Sequence, residues 1–434
     1  MKNPLLLVSD QNGNMFEIPD LLMAGMSLNI PVVPEMDELI PLPEGSDFFT
    51  LPGRAALGFD PVNKEFVEVT SYQGEPVHPV AAFMAPAHLQ LYRSACRRLP
   101  CSPRLPLYSY TALGWIDGTF YVAGMRIDSD RRQDLKLMNT ELIKKRARAV
   151  KKRLPKNRLV QHLVENCVFR YGCPAARNFV MERWECPLPT SPACNSECIG
   201  CISLQPKDTQ IEASQDRIRF IPSVDEILEV AVPHLKRAPR PVASFGQGCE
   251  GEPLLKGELI EQSIRQIRKK TARGVININT NGCRPDVVER LCRAGLDSIR
   301  VSLNSAQQYF FRTYFRPRDF DFAHVKETLR VAKRYKIWSS LNYFMFPGFT
   351  DHPTELQALE SLILDTGINM IQTRNLNMDP DWYIDELGLG ALEPEFIGMR
   401  RWVQRMNETY PQIALGYFNP PREEMRRRGF RLSR

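Results

Sequence analysis

Between residues 223 and 375 the chain alternates short apolar runs with amphipathic stretches of helical period. The runs at 241–246, 274–279, 297–303, 337–346 and 369–374 read as strands. The stretches at 223–236, 255–271, 285–294 and 353–365, with further helix up to about 335, read as helices. Ser223 is placed to cap the first, with Glu226 three residues later to complete a capping box. Pro285 opens another. A further strand at 178–185 brings the number to six. Strands that alternate with helices of this length form parallel βαβ units, so an α/β fold is expected.

In parallel barrels the chemistry lies in the loops after the strands. Here those loops hold the residues with chemical character. The first contains Cys194, Cys198 and Cys201, spaced Cys-x3-Cys-x2-Cys. The second is Gly248-Cys249-Glu250-Gly251-Glu252-Pro253, and the third Thr280-Asn281-Gly282. Ser302 and Asn304 close the fourth strand, Pro347-Gly348 the fifth, and Arg374-Asn375 the sixth.

Three thiolates so close in sequence converge on one soft metal or iron–sulfur site, and three protein ligands leave a coordination position open. A structural zinc site remains the alternative, with Cys186 as its fourth ligand. Acidic residues at 250–252 suit a helix N-terminus as well as a ligand. Ser302 and Asn304 suit a sugar diol or an ordinary helix cap.

The cysteine spacing, the Glu250-Gly251-Glu252-Pro253-Leu254 segment and the polar strand ends together resemble the radical S-adenosylmethionine (radical SAM) enzymes. The resemblance spans roughly 178–380. It implies a partial (β/α)6 barrel. It also implies a [4Fe–4S] cluster held by Cys194, Cys198 and Cys201, with S-adenosylmethionine on the fourth iron. Reductive cleavage to a 5′-deoxyadenosyl radical would then abstract hydrogen from a substrate. Glu250, Gly251, Glu252, Thr280, Asn281, Ser302, Asn304 and Arg374 would bind the cofactor. Arg374, whose guanidinium grips carboxylate or phosphate through two hydrogen bonds, would also serve the reaction. Gln372, Asn375, Asn377, Asp379, Asp381 and Tyr383 extend this polar cluster. The electron would come from a donor such as a ferredoxin or flavodoxin. The chain departs from the family pattern at two points. Glu250 replaces a glycine, and Gly200 stands where an aromatic often precedes the last cysteine, so shielding must come from elsewhere.

The 434 residues suffice for two or three domains, here 1–173, 174–380 and 381–434. The first reads as a mixed α+β extension of short strands and turns. It includes a hairpin over 115–122 with its turn at Asp117-Gly118, then a basic helix over 132–154. The last reads as a small helical cap with a basic tail. No apolar stretch reaches membrane-spanning length. Eleven cysteines without an export signal suggest ligands or free thiols in a cytoplasmic protein.

The net charge of +7 is concentrated in two segments: 141–158 carries nine Lys/Arg against one Glu, and 422–434 six Arg against two Glu. Solvated faces account for both. An acidic or macromolecular substrate, such as an RNA or a peptide, would suit them too, as would nucleic acid bound by a zinc-stabilised protein. Cys96 and Cys101, and Cys167 and Cys173, form two further pairs. With Cys186 they are open to a second cluster, a zinc ion, or neither.

Overall fold

The computed structural model describes residues 3–432. Its centre is a sheet of seven parallel strands in sequential order: β1 (Glu185–Leu188), β2 (Val242–Phe245), β3 (Val275–Thr280), β4 (Ser298–Leu303), β5 (Trp338–Met345), β6 (Met370–Asn375) and β7 (Ala414–Gly416). Among the described residues β1 and β7 do not pair, so the barrel is open. Helices α1 (Val224–Arg237), α2 (Gly257–Lys270), α3 (Pro285–Ala294), α4 (Gln308–Phe315), α5 (Phe322–Arg334) and α6 (Pro353–Thr366) connect the strands. The capping box that opens α1 forms as expected: Glu226 N–H donates to Ser223 Oγ at 3.2 Å, and Ser223 N–H to the Glu226 carboxylate at 2.8 Å.

The strands show why the barrel has a reactive interior. Ile276, Ile278, Ile299, Val301, Leu303, Leu341 and Ile371 join the main apolar core. The alternate positions are polar: Asn277 and Asn279 on β3, Ser298, Arg300 and Ser302 on β4, Asn342 on β5, Gln372 and Arg374 on β6. Successive strand residues face opposite sides, so one set covers the helices and the other lines the barrel.

Two expectations are corrected. The first strand begins at Glu185, not near 178. Residues Pro174–Val180 form a helix with proline in its first turn, in which Asn178 Nδ2 donates to Pro174 O. A short apolar run such as Phe179-Val180-Met181 fits either period, and the proline start decides it. Pro187 is tolerated in β1 because this is an edge strand. Second, the C-terminal segment is not helical throughout: Ala414–Gly416 adds a seventh strand beside β6. Three residues ending in glycine are too few to show a period.

Residues 5–126 form mainly antiparallel β-structure, the largest sheet having eleven strands. The expected hairpin is present, with Trp115 opposite Phe120 and Ile116 opposite Thr119, and positive φ at Asp117 and Gly118. The basic helix is Thr140–Arg153, shorter than expected because Asn139 caps it after two 3-10 turns. This extension docks on the barrel through polar anchors. Asn375 accepts from Gln90 N–H at 2.9 Å and donates to His88 O at 3.1 Å. Buried Arg54 pairs with Asp379 at 2.7 Å and Asp381 at 3.2 Å. These three side chains of the polar cluster after β6 therefore join parts of the chain. No helix among the described residues is long and apolar enough to cross a membrane.

Candidate active site

A cavity of about 370 Å³ opens at the C-terminal ends of the strands, within the roughly 300–1,000 Å³ usual for small ligands. Cys194, Cys198 and Cys201 line one side; Glu250, Gly251, Glu252, Thr280, Asn281, Ser302, Arg374, Asn375 and Asn377 are among the residues that line the others. A larger cavity, about 600 Å³, lies at the opposite end around Trp184, Trp338 and Phe418. The strands start there, so it holds none of the loop residues that carry chemistry.

The loop that bears the cysteines is held from three directions. Gly251 N–H donates to Ser191 O at 2.7 Å and Glu252 N–H to Ala193 O at 2.8 Å, so the two loops run side by side. A Cβ on Gly251 would meet Ala193 O at 2.0 Å, so only glycine allows this approach. Asn281 Nδ2 reaches Asn195 Oδ1 at 2.9 Å and Ser196 Oγ at 3.2 Å. From α4, Phe315 O and Tyr314 O accept Glu197 N–H and Ile199 N–H, both at 3.1 Å.

The two glutamates that line the cavity are buried braces. Glu250 accepts from Thr190 N–H at 2.7 Å, Ser191 N–H at 2.9 Å and Gln247 N–H at 2.7 Å. Glu252 accepts from Thr280 Oγ1 at 2.5 Å, Asn281 N–H at 2.8 Å and Leu254 N–H at 2.9 Å. Burial pushes both carboxyls up to about 7 despite these donors. In place of the expected glycine, Glu250 thus satisfies three amides of the neighbouring loops.

Asn304 departs from the expected cavity set. It is buried, its Nδ2 donates to Phe310 O at 3.1 Å, and it does not line the cavity.

Several residues escaped the sequence reading. Arg217 approaches the triplet from a distant loop, donating to Cys201 Sγ at 3.6 Å and Ser203 Oγ at 3.1 Å. Nothing local in the sequence marks it. Tyr314, Phe315 and Phe344 form an aromatic wall. Arg300 faces the cavity beside Arg374 and donates to Gln372 Oε1 at 2.9 Å. Its place two residues before Ser302, on the same strand face, was a usable signal. Arg374 stacks on Tyr417, 3.7 Å from the ring centre, and donates to Asn342 Oδ1 at 3.1 Å. Burial and the neighbouring Arg374 lower Arg300 to about 9, and Arg300 Nε is buried without a hydrogen-bond partner among the described residues.

The cysteines fit an iron–sulfur ligand set. Burial pushes Cys194 up to about 11 and Cys198 well above the ordinary thiol range, so a bound cation must displace their protons. Among the described residues, the one trio of His, Cys or acidic side chains whose ligand atoms lie within 4.8 Å of one another is elsewhere, at His162, Cys167 and Cys249. The cysteine triplet is therefore not collapsed around a point suited to a single ion. Cys186, the proposed fourth ligand of a zinc site there, is packed in the apolar core.

The family model described as "Radical SAM superfamily" matches residues 188–357. No curated protein matches the chain. Among solved structures, Streptococcus suis SuiB is similar at TM-score 0.35 and 14% identity, over 56% of this chain and 53% of that one. Methylornithine synthase (PylB) is similar at 0.37 and 10%, over 65% and 74%. HydG, a maturase of the [FeFe]-hydrogenase, is similar at 0.32 and 15%, over 60% and 64%. The alignment thus spans about half of the SuiB chain.

Proposed function

Because this chain is an enzyme of the radical SAM superfamily, matched over its core at 188–357, we propose that its cavity binds a [4Fe–4S] cluster and S-adenosylmethionine to act on a substrate bearing an anionic group. Cys194, Cys198 and Cys201 would hold the cluster, which supplies the electron that cleaves the sulfonium. Gly251, Thr280, Asn281 and Ser302 would border the nucleoside. Glu250 and Glu252 act one step back, fixing the loops against each other. Tyr314, Phe315 and Phe344 exclude water from the reacting side. A small redox protein such as a ferredoxin or flavodoxin would deliver the electron.

The convergence of the three cysteines with the polar ends of β2, β3, β4 and β6 on one cavity carries this reading. The anionic substrate rests on Arg300 and Arg374. Two half-buried guanidiniums held side by side share one nearby carboxylate, that of Glu185, and so carry a surplus of positive charge that is costly to desolvate. A carboxylate or phosphate between them would offset that cost, and Arg300 Nε stands ready to donate.

The test is anaerobic reconstitution. The protein should take up iron and sulfide, turn brown, and form 5′-deoxyadenosine when reduced with dithionite. Cys198→Ala should abolish both while leaving the far-UV circular dichroism unchanged. An intact cluster in that variant would refute the ligand assignment. Candidate substrates should be offered as acid and methyl-ester pairs. Stimulation of 5′-deoxyadenosine formation by acid alone is expected, and equal stimulation by the ester would refute the anionic substrate.

A further inference from the structure

The trio His162, Cys167 and Cys249 lies outside the cavity and has no part in the chemistry above. His162 and Cys167 belong to a π-helical segment, His162–Arg170, that follows the short helix Arg158–Gln161. π-Helical turns hydrogen-bond i to i+5, are rare, and concentrate at functional sites. That pattern sets His162 and Cys167, five apart, on one face. An ordinary α-helix, with 3.6 residues per turn, would splay them. Cys249 comes from the loop after β2, eighty-two residues later, and its sulfur is 3.6 Å from that of Cys167.

We propose that His162, Cys167 and Cys249 bind a single zinc ion, with Cys173, whose sulfur lies outside that trio but whose N–H donates to Cys167 O, closing on it as fourth donor, and that the ion staples the π-helical segment to the loop carrying Glu250–Glu252. Three observations carry this site. The three ligand atoms lie within 4.8 Å of one another. Tetrahedral zinc with Zn–S near 2.3 Å places its sulfurs about 3.8 Å apart, close to the separation found. A cubane cluster spreads its ligands more widely than one ion does, so the compactness favours a mononuclear site. His162 Nε2 is buried with no hydrogen-bond partner among the described residues, as an unmetallated ligand nitrogen would be.

The surroundings agree. Asn166 Nδ2 lies 3.9 Å from the Cys167 sulfur and also donates to Asp216 O at 3.2 Å, an outer-shell partner of the kind that orients metal ligands. Cys173 N–H donates to Cys167 O at 2.7 Å, bringing the fourth cysteine back toward the site. Ile218 N–H donates to Cys249 O at 2.8 Å and fixes that loop from the other side. His162 and Cys173 are only half-buried, which gives an ion a way in. The sequence pair Cys167 and Cys173 is thus completed by His162 and Cys249. Cys96 packs in a separate core of the N-terminal sheet and Cys101 is exposed.

The decisive experiment uses the full chain with Cys194, Cys198 and Cys201 all replaced by alanine, so that failure of the cluster assignment cannot affect the result. This protein, purified with a thiol reductant, should contain about one zinc per chain by mass spectrometry of the metal. After zinc is removed, it should bind one cobalt(II) with the intense thiolate charge-transfer bands of a tetrahedral site. Adding Cys167→Ser and Cys249→Ser should reduce zinc and cobalt binding to near zero. Adding His162→Ala alone, a milder change, should weaken cobalt binding at least tenfold and shift its spectrum. Circular dichroism would confirm that these proteins remain folded. Binding of neither metal in the parent protein, binding unchanged by the added substitutions, iron with sulfide in place of zinc, or a Cys167–Cys249 disulfide in place of metal would each overturn the proposal.

Discussion

The hydroxyl of Tyr314 lies 2.8 Å from the point where a Cβ on Gly200 would stand. The residue before the last cysteine is therefore glycine because an aromatic from another element already fills its space. Tyr314 is 3% exposed and packs edge-on against Phe344, with ring centres 5.4 Å apart. The shielding that the sequence seemed to lack is supplied from α4.

Exchange of these two positions tests the relationship. Gly200→Phe should overpack the loop, since Met378 Sδ also lies 3.2 Å from the same point. A destabilisation of about 1–3 kcal/mol and reduced iron retention are expected. Tyr314→Ala alone should leave the cluster more exposed and quicker to bleach in air. Combining the two should recover part of both losses, and strictly additive losses would show that the residues do not share one space. Thermal melts and iron-to-protein ratios report the result.

Arg217 is 3.6 Å from Cys201 Sγ through a guanidinium nitrogen. A positive charge and hydrogen bond at a ligand sulfur stabilise the reduced, more negative cluster. Arg217→Met should lower the midpoint potential. A loss of about 1.4 kcal/mol corresponds to about 60 mV for a one-electron couple. Spectroscopically monitored redox titration checks the sign, and an unchanged or raised potential would count against the contact.

The parts legible in the sequence are those encoded by local periodicity. The order of strands and helices, the capping box at Ser223 and the Asp117-Gly118 turn each rest on a few neighbouring residues. Within the site, the cysteines and Gly251 show in short motifs. What stayed hidden depends on distant segments meeting. Tyr314 over Gly200, Arg217 at Cys201 and Cys249 beside Cys167 have no local signature. Arg300 is intermediate: a cation inside a strand, on the same face as Ser302, is readable from the period of the strand alone. Asp379 and Asp381 resembled ligand-binding residues because polar side chains after a barrel strand serve equally well to fasten another domain, while Asn375 does both, lining the cavity and bonding Gln90 and His88.

Arg54 shows how much that fastening carries. It is 1% exposed, donates to Asp379 at 2.7 Å and Asp381 at 3.2 Å, and reaches the carbonyls of Pro52 and Pro103. Asp379 Oδ2 also accepts from Leu105 N–H at 2.8 Å. Removing one partner of a buried ion pair leaves the other charge uncompensated, at a cost of about 3–5 kcal/mol. Arg54→Met should lower the melting temperature and make the junction between the extension and the barrel sensitive to limited proteolysis. Arg97→Met, which removes an exposed pair with Glu68, should have little effect.

His234 sets a pH limit on the fold. It is buried in α1, with Nε2 3.0 Å from Trp184 O, and burial lowers its pKa to about 4. The native state therefore holds it neutral, while the unfolded chain takes up its proton near the ordinary value of about 6.5. Between these values the unfolded state binds more protons, so stability falls as pH drops from about 6.5 to about 4 and is fully present above that window. The shift corresponds to roughly 3 kcal/mol across the window. His234→Gln keeps a donor for Trp184 O but cannot titrate. It should flatten the acid side of the stability profile while costing about 1 kcal/mol at neutral pH. Denaturant unfolding of the cluster-free protein from pH 7.5 to pH 4.5 measures both, and an acid limb as steep as that of the unaltered protein would assign the loss to another group.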